Sequence, residues 1–379
     1  MRKWVLLGLA VAAILVAVVI WRQWERTSGT IEIGVLLSLT GDVGPYGQRS
    51  LKGINLAKDE INSAGGIAGR PISLRVEDTR SSPRDAVSAY TKLVTLEHVR
   101  IIVGDVLSGT TLAIAPLAKK DKVVLLAPGA SNPALRDAGD YVFRNWVSDD
   151  FDGTAMAQYI AKEGIRAIYI LNQQTDYSVG LANAFKKAFE ALGGKVVGQD
   201  AYVTETTDFR PHLLRMQRSG ASSVFLTGEA RQNGTILRQA REMGLEKQWF
   251  ANLTIDTPEA KTVAGDAREG VVFTTPAFDP DESSPQTRQF VRAFRERYGE
   301  DPEVTSGIAY DAMKILAAVM TRTGSEPEQV KAGLYKVKDF PGVTGSTSFD
   351  DHGDVTKDIF IKVIKNGNPV LLTRFAVQQ

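Results

Sequence analysis

The fold class is decided by residues 31–77, IEIGVLLSLTGDVGPYGQRSLKGINLAKDEINSAGGIAGRPISLRVE. The two ends of this stretch, IEIGVLL (31–37) and PISLRVE (71–77), are short apolar runs typical of β-strands. The residues between them have helical spacing, which places four apolar side chains on one face: Leu51, Ile54, Ala57 and Ile61. A strand, a helix and a second strand in this order predict a βαβ unit with parallel strands.

The same alternation continues along the chain. Further strand candidates are RIIVGD (100–105) and VVLLAP (123–128), followed by a second set at 166–171, 194–198, 222–228, 248–252 and 270–276. Helical stretches lie between them, one of which places Leu181, Phe185, Ala188 and Leu192 on one face. A late hairpin is expected around Asn366-Gly367-Asn368. Two runs of βα units, broken near residues 146–150, predict an α/β fold with two similar, Rossmann-like lobes.

Composition excludes several classes of function. The chain has 379 residues, enough for about two domains, and a formal net charge of +1. Because there is no basic excess to neutralise phosphates, nucleic acid is not expected as a partner. The absence of cysteine excludes disulfides, a thiol nucleophile, thiolate metal sites and a lipid-anchored N-terminal cysteine.

The N-terminus carries WVLLGLAVAAILVAVVIW, residues 4–21, without a charge. This run lies between a secretory apolar region of about 7–15 residues and a spanning helix of about 20. No small-x-small cleavage pattern follows it, which favours an uncleaved membrane anchor in residues 1–27. A cleaved signal peptide is the alternative. Either interpretation places the rest of the chain outside the cytoplasm.

Small hydroxyl residues follow two neighbouring strand candidates. Ser108 begins SGTT after the run 100–105, and Gly129, Ala130 and Ser131 follow the run 123–128. Ligands of open α/β sheets lie at the carboxyl ends of strands, where hydroxyls and helix-start N–H groups hold a carboxylate without a cationic side chain.

A catalytic role for Ser108 is the competing hypothesis, since a serine hydrolase would also place its nucleophile at a strand–helix turn. The sequence contains no G-x-S-x-G, Walker, dinucleotide or H-E-x-x-H motif, and no general base for Ser108 can be identified. We therefore predict a binding protein with no catalytic residue, metal or cofactor.

The chain resembles the branched-chain amino-acid-binding proteins of ABC transporters in the first block, residues 31–77, and in the segments that follow it in order: GDVLSGTT (104–111), PGASNPAL (128–135), RQAREMGL (238–245) and AGDAREGVVFTTP (264–276). The first block is the most specific part, because Tyr46-Gly47, Asn62 and Gly65-Gly66-Ile67 recur in the family at this spacing. These are type I periplasmic binding proteins, and the resemblance covers residues 31–379. It implies a two-lobed clamp with three hinge crossings, near 147–149, 275–276 and 355–358. Lobe 1 would be 31–148 plus 276–356, and lobe 2 would be 149–275 plus 357–379.

The resemblance also implies roles for individual residues. Ser108 and Ser131 match a serine and a threonine that hold the ligand carboxylate, and Ala130 matches an alanine that offers its main chain. Tyr46 would lie beside the ligand side chain, and Tyr177 would close over the ligand from lobe 2.

Two positions depart from the family pattern. The ammonium-binding glutamate should fall near Leu253 or Thr254, where this chain has no acid; Asp256 is close but would need a gap in the alignment. Glu229 stands where a second lobe 2 tyrosine is expected, and it is the candidate for the missing negative charge.

The sequence therefore predicts an extracytoplasmic, monomeric receptor that binds a small carboxylate-bearing solute, an amino acid, by cleft closure and delivers it to an ABC permease. One alternative is a sensor of the same fold, without a fused output domain, for a non-amino organic acid or amide. The serine hydrolase is the other alternative.

Overall fold

A computed structural model describes residues 29–280 and 284–376 of the chain. Five strands come first: β1 (Ile31–Leu37), β2 (Ile72–Asp78), β3 (Ile101–Gly104), β4 (Val124–Ala127) and β5 (Val142–Arg144). All neighbours are parallel, in the order β2-β1-β3-β4-β5. The helices between them are α1 (Gly44–Ser63), α2 (Pro83–Thr91) and α3 (Ser108–Asp121). The predicted βαβ unit is present, with β1 and β2 joined by α1.

A second group of parallel strands follows: β6 (Ala167–Gln173), β7 (Lys195–Tyr202), β8 (Ser223–Thr227), β9 (Gln248–Ala251) and β10 (Val272–Pro276). Its helices are α4 (Asp149–Lys162), α5 (Asp176–Ala191), α6 (Arg210–Arg218), α7 (Ala230–Glu242) and α8 (Pro258–Ala264). Leu181 and Phe185 of α5 are buried as expected. The expectation for Leu192 is wrong, because the helix ends at Ala191 and Leu192 is 45% exposed.

The chain then returns to the first sheet. Three helices, α9 (Pro285–Tyr298), α10 (Val304–Thr323) and α11 (Pro327–Leu334), precede a small antiparallel sheet of β11 (Phe340–Gly342), β12 (Gly345–Phe349) and β13 (Val355–Thr356). Phe290, Phe294 and Ile315 share a hydrophobic cluster with side chains of β1, β3 and β4. A Cβ on Gly53 of α1 would lie 2.1 Å from the main-chain oxygen of Ser306, so glycine permits the close approach of α1 and α10.

The last two strands, β14 (Ile359–Lys365) and β15 (Asn368–Phe375), form the predicted hairpin. Asn366 and Gly367 make its two-residue turn, and both have positive φ, as a type I′ turn requires. The hairpin extends the second sheet at its β10 edge, in the order β15-β14-β10-β9-β8-β6-β7.

Two lobes result, and the predicted α/β class is confirmed. We call β1–β5 with α1–α3 and α9–α11 the first lobe, and β6–β10 with α4–α8, β14 and β15 the second lobe. Connecting segments meet where Val147 pairs with Val355 and where the Ala277 N–H donates to the Asp358 carbonyl over 2.9 Å. The residue limits given above for the lobes and crossings stay predictions.

No helix within the described ranges has both the length and the apolar character needed to cross a membrane. The predicted anchor in residues 1–27 lies outside the described residues.

Candidate functional site

A cleft lies between the lobes, lined by side chains of both. Five of the six predicted site residues line it: Tyr46, Ser108, Ser131, Tyr177 and Glu229. Ala130 does not; its side chain is buried in a small cluster with Ala127 and Leu135. A main-chain role for Ala130 stays a prediction.

Ser108 lies at the first position of α3, directly after the β3 strand end. Its Oγ accepts hydrogen bonds from the main-chain N–H groups of Ser131, over 3.3 Å, and Asn132, over 3.2 Å. A hydroxyl has two acceptor positions and one proton. Because main-chain donors occupy both acceptor positions, the Ser108 proton is left to donate into the cleft.

The two threonine hydroxyls that follow Ser108 in the SGTT segment behave differently. The hydroxyls of Thr110 and Thr111 donate to the carbonyl of Leu107, which precedes the helix. Leu107 provides no side-chain cap for the first N–H groups of α3. Ser108 and the start of the helix, rather than the threonine hydroxyls, therefore offer donors to an anion.

The Ser131 loop is supported from behind by Arg144, which is 2% exposed. One guanidinium nitrogen donates to the carbonyls of Ser131 and Asn132, over 2.8 and 2.9 Å. The other two nitrogens form a bidentate pair with Asp354, at 2.6 and 2.7 Å. Arg144 thus fixes the loop main chain while Asp354 neutralises its charge. The sequence signal for this role is a lone arginine in the apolar stretch YVFRNWV, and Arg144 is not among the predicted site residues.

Asp105 is a second buried support. It follows β3 and accepts hydrogen bonds from the Ser38 N–H and hydroxyl, each over 3.0 Å, and from the Thr79 hydroxyl over 2.5 Å. Burial raises the pKa of the Asp105 carboxyl. These bonds join the ends of β1, β2 and β3 beneath the loop that carries Ser108.

Glu229 precedes α7 on the second lobe, and its N–H donates to Gln173 Oε1 over 2.8 Å. No ion pair involves its carboxylate within residues 29–280 and 284–376. Burial, with a smaller contribution from Asp42 of the first lobe, raises its pKa from 4.5 to about 7. A cation in the cleft would relieve both effects.

The position expected to carry an acid is occupied by Leu253 and Thr254, which both line the cleft. The Thr254 hydroxyl donates to the Gly228 carbonyl over 2.8 Å, so its proton is already used. Asn252 donates to the Tyr177 hydroxyl over 2.9 Å, which leaves the Tyr177 proton available. Burial and then the carboxyls of Asp149 and Asp152 raise the pKa of Tyr177, so the hydroxyl stays protonated.

The cleft also has an apolar side that the sequence analysis did not identify. It consists of Val43, Val106, Leu107, Trp146 and Leu253. Two buried hydroxyls in the cleft wall, those of Tyr46 and Thr305, have no hydrogen-bond partner in the part of the chain that the structure describes. Unsatisfied buried hydroxyls in a cleft are typical ligand contacts.

Comparison with known proteins agrees with this architecture. The family model described as "Periplasmic binding protein" matches residues 30–368. Leu/Ile/Val-binding protein homolog 1 of Brucella suis biovar 1 is 30% identical over 93% of this chain and 94% of its own length.

Two solved structures are similar over almost the whole chain. The leucine-binding protein LivK of Thermotoga maritima has a TM-score of 0.86 at 30% identity and covers 92% of this chain and 99% of its own. LivJ of Streptococcus pneumoniae, a branched-chain amino acid transporter substrate-binding protein solved with isoleucine, has a TM-score of 0.84 at 30% identity and the same coverage. The chain therefore belongs to the periplasmic binding protein family and, within it, to the Leu/Ile/Val-binding-protein homologues.

Proposed function

We propose that this protein is the solute receptor of an ABC transporter and that its solute is an amino acid with an apolar side chain. The observation that carries the proposal is the opposition of two walls in one cleft. The first lobe presents uncharged donors, the Ser108 hydroxyl and the uncapped start of α3, and the second presents the unpaired carboxylate of Glu229. An amino acid has the matching pair of charges.

The carboxylate end would bind at the first lobe. Ser108 has a free proton, and the start of α3 has N–H groups without a side-chain cap. Hydrogen bonds to a charged group contribute about 1.5–3 kcal/mol each. Because both hydrogen bonds to Ser108 Oγ come from main-chain donors, binding is favoured over the nucleophilic role of the hydrolase alternative.

The ammonium end would bind at Glu229. Burying an ammonium without a negative partner costs several kcal/mol, and residues 253 and 254 offer no acid. The hydroxyls of Tyr46 and Thr305 have unused acceptor capacity in the same cleft. The apolar side chains around Trp146 would contact the aliphatic part of the solute, in agreement with the Leu/Ile/Val-binding relatives.

The test is a thermal unfolding experiment on the full-length protein in detergent. L-Leucine, L-isoleucine and L-valine are compared with the oxo-acids that lack the amine. A ligand at 100 times its dissociation constant should stabilise the protein by about 2.7 kcal/mol. Stabilisation by amino acids supports the proposal. Stabilisation by oxo-acids alone would identify an organic-acid receptor, and no stabilisation by either set would contradict the proposed solute class.

The location follows from the family, whose members work outside the cytoplasmic membrane. We propose that residues 4–21 tether the receptor near its permease and that cleft closure presents the loaded form. Full-length protein that stays in the membrane pellet after alkaline carbonate washing would support the tether. A mature soluble form beginning near residues 22–30 would contradict the tether and leave the receptor function unaffected.

A further inference from the structure

Arg49 joins the two lobes outside the solute cleft. It lies on α1 of the first lobe, and its Nη2 contacts Glu259 Oε1 of α8, on the second lobe, over 2.6 Å. Its Nε contacts Glu303 Oε1, at the start of α10 in its own lobe, over 2.9 Å. One guanidinium therefore bridges a carboxylate of each lobe.

The bridge is only partly satisfied. Arg49 Nη1 and Glu259 Oε2 are buried without a hydrogen-bond partner among the described residues. Burial and the neighbouring carboxylate of Glu259 raise the pKa of Glu303 to about 7, in spite of Arg49. When the second lobe approaches, Glu259 therefore comes close to Glu303, an acid of the first lobe. Arg49 is the cation between these two carboxylates.

We propose that Arg49 is a positioning residue for lobe closure: it stays with Glu303 in its own lobe and captures Glu259 when the cleft closes. This inference rests on the proposed function. A pair that forms only in the closed state raises the closed population, and apparent affinity rises with the fraction of the binding-competent state. Arg49 would therefore strengthen solute binding without contacting the solute.

The same helix provides a matched control. Lys52 of α1 contacts Glu300 over 2.6 Å, and both residues belong to the first lobe. This pair has the same length as the Arg49–Glu259 pair but does not cross the cleft. Loss of Lys52 should therefore leave the relative position of the lobes unchanged.

The experiment measures the distance between lobes in the full-length protein by pulsed electron paramagnetic resonance. Since the chain has no cysteine, Arg84→Cys and Arg238→Cys place one spin label on an exposed position of each lobe. Distances are recorded without solute and with L-leucine. The variants are Arg49→Gln, Glu259→Gln, their double mutant and Lys52→Gln.

We expect Arg49→Gln and Glu259→Gln each to lower the ratio of short to long distances about fivefold without solute, within the range of a half-buried ion pair. The double mutant should lower it no further, and Lys52→Gln should match the unsubstituted chain. The proposal is overturned if Glu259→Gln leaves the ratio unchanged, if the two effects add, if Lys52→Gln has the same effect, or if the unsubstituted chain shows no short distances. A failure of L-leucine to shift the distances would count against the proposed solute, while the comparison without solute still decides the role of Arg49.

Discussion

The two walls of the cleft differ in the charge that they carry. The first-lobe residues that line the cleft, among them Val43 and Thr305, include no charged side chain. The arginine that supports this wall, Arg144, is buried behind the loop that carries Ser131. The second-lobe wall is short and carries the charge itself, at Glu229. A carboxylate can thus be held by neutral donors that a buried ion pair keeps in place, whereas an ammonium needs a carboxylate in direct contact.

The largest effect on the first-lobe wall is expected from removing Arg144, the buried arginine that supports it. Arg144→Gln removes the buried, bidentate partner of Asp354 and leaves only the longer contact with Arg136, and the loss of one partner of a buried ion pair destabilises proteins by about 3–5 kcal/mol. We expect this loss in denaturant unfolding of the full-length protein. The control is Arg136→Gln, which removes an exposed arginine that also contacts Asp354, over 3.3 Å. It should change the free energy of unfolding by less than about 1 kcal/mol. If the two variants lose the same free energy of unfolding, the buried Arg144–Asp354 pair contributes no more to stability than the exposed contact.

Removing the charge of the second wall should change which solutes bind. Glu229→Gln is expected to weaken amino-acid binding by about 3 kcal/mol, the lower part of the range for unpairing a buried charge, because Glu229 is only partly buried. Binding of the corresponding oxo-acid should improve relative to the amino acid. Titration calorimetry with L-leucine and its oxo-acid measures both. If the variant binds the two solutes as the unsubstituted protein does, Glu229 is not the ammonium partner.

The first wall should also respond to a single hydroxyl. Ser108→Ala removes the donor assigned to the solute carboxylate and should weaken binding by about 1.5–3 kcal/mol, with the oxo-acid affected as much as the amino acid. Thr110→Val is the matched control, since the Thr110 hydroxyl donates to Leu107 within the same turn. Normal binding by Ser108→Ala, or equal effects of both substitutions, would assign Ser108 a structural role only.

A change of pH should distinguish the roles of the two cleft walls without a mutation. The pKa of Glu229 is about 7, and an ammonium pairs only with the ionised form. Affinity for L-leucine should therefore fall as pH drops below about 7, by up to tenfold, or about 1.4 kcal/mol, per pH unit. Affinity for the oxo-acid should not fall in this way. Calorimetry between pH 5.5 and 8.5 at constant ionic strength makes the comparison, and parallel curves for the two solutes would contradict it.

The stability of the solute-free protein should follow the opposite trend. The pKa of Glu229 is raised from 4.5 to about 7 in the folded state, so the folded protein holds this proton more tightly than the unfolded chain does. This contribution to stability is present at low pH and is lost as the pH rises from 4.5 to 7. Glu229→Gln should remove both trends.

Sequence patterns predict the first wall better than the second. β3 and β4 are short apolar runs, and Ser108 and Ser131 follow neighbouring parallel strands, so their proximity is a consequence of the sheet. Trp146 is not predictable from sequence patterns, because it follows β5, a strand of only three residues without clear periodicity. Thr305 reaches the cleft from the start of α10, about two hundred residues after Ser108, and no local pattern reports such a contact.

On the second wall, the sequence shows that an acid is missing near residue 253 and makes Glu229 the candidate for the missing charge, but it does not show that the two positions are neighbours. Their relation depends on β8 and β9 being neighbours in the sheet, with Gly228 and Thr254 hydrogen-bonded to each other. Only the assembled sheet shows that Glu229 and Leu253 line the same cleft.

The pairing of Arg144 with Asp354 has a consequence for the order in which the molecule folds. These partners are 210 positions apart, and Asn145, beside Arg144, donates to the Ile308 carbonyl, 163 positions away. The core of the first lobe also needs Phe290 and Ile315 from its late helices. Strands β6–β10, in contrast, come from one uninterrupted stretch and can assemble while the chain is still emerging. The first lobe, although it contains the N-terminal strand, therefore cannot be completed before residue 354 has been synthesised, and a chain released earlier would lack the counter-ion of Arg144.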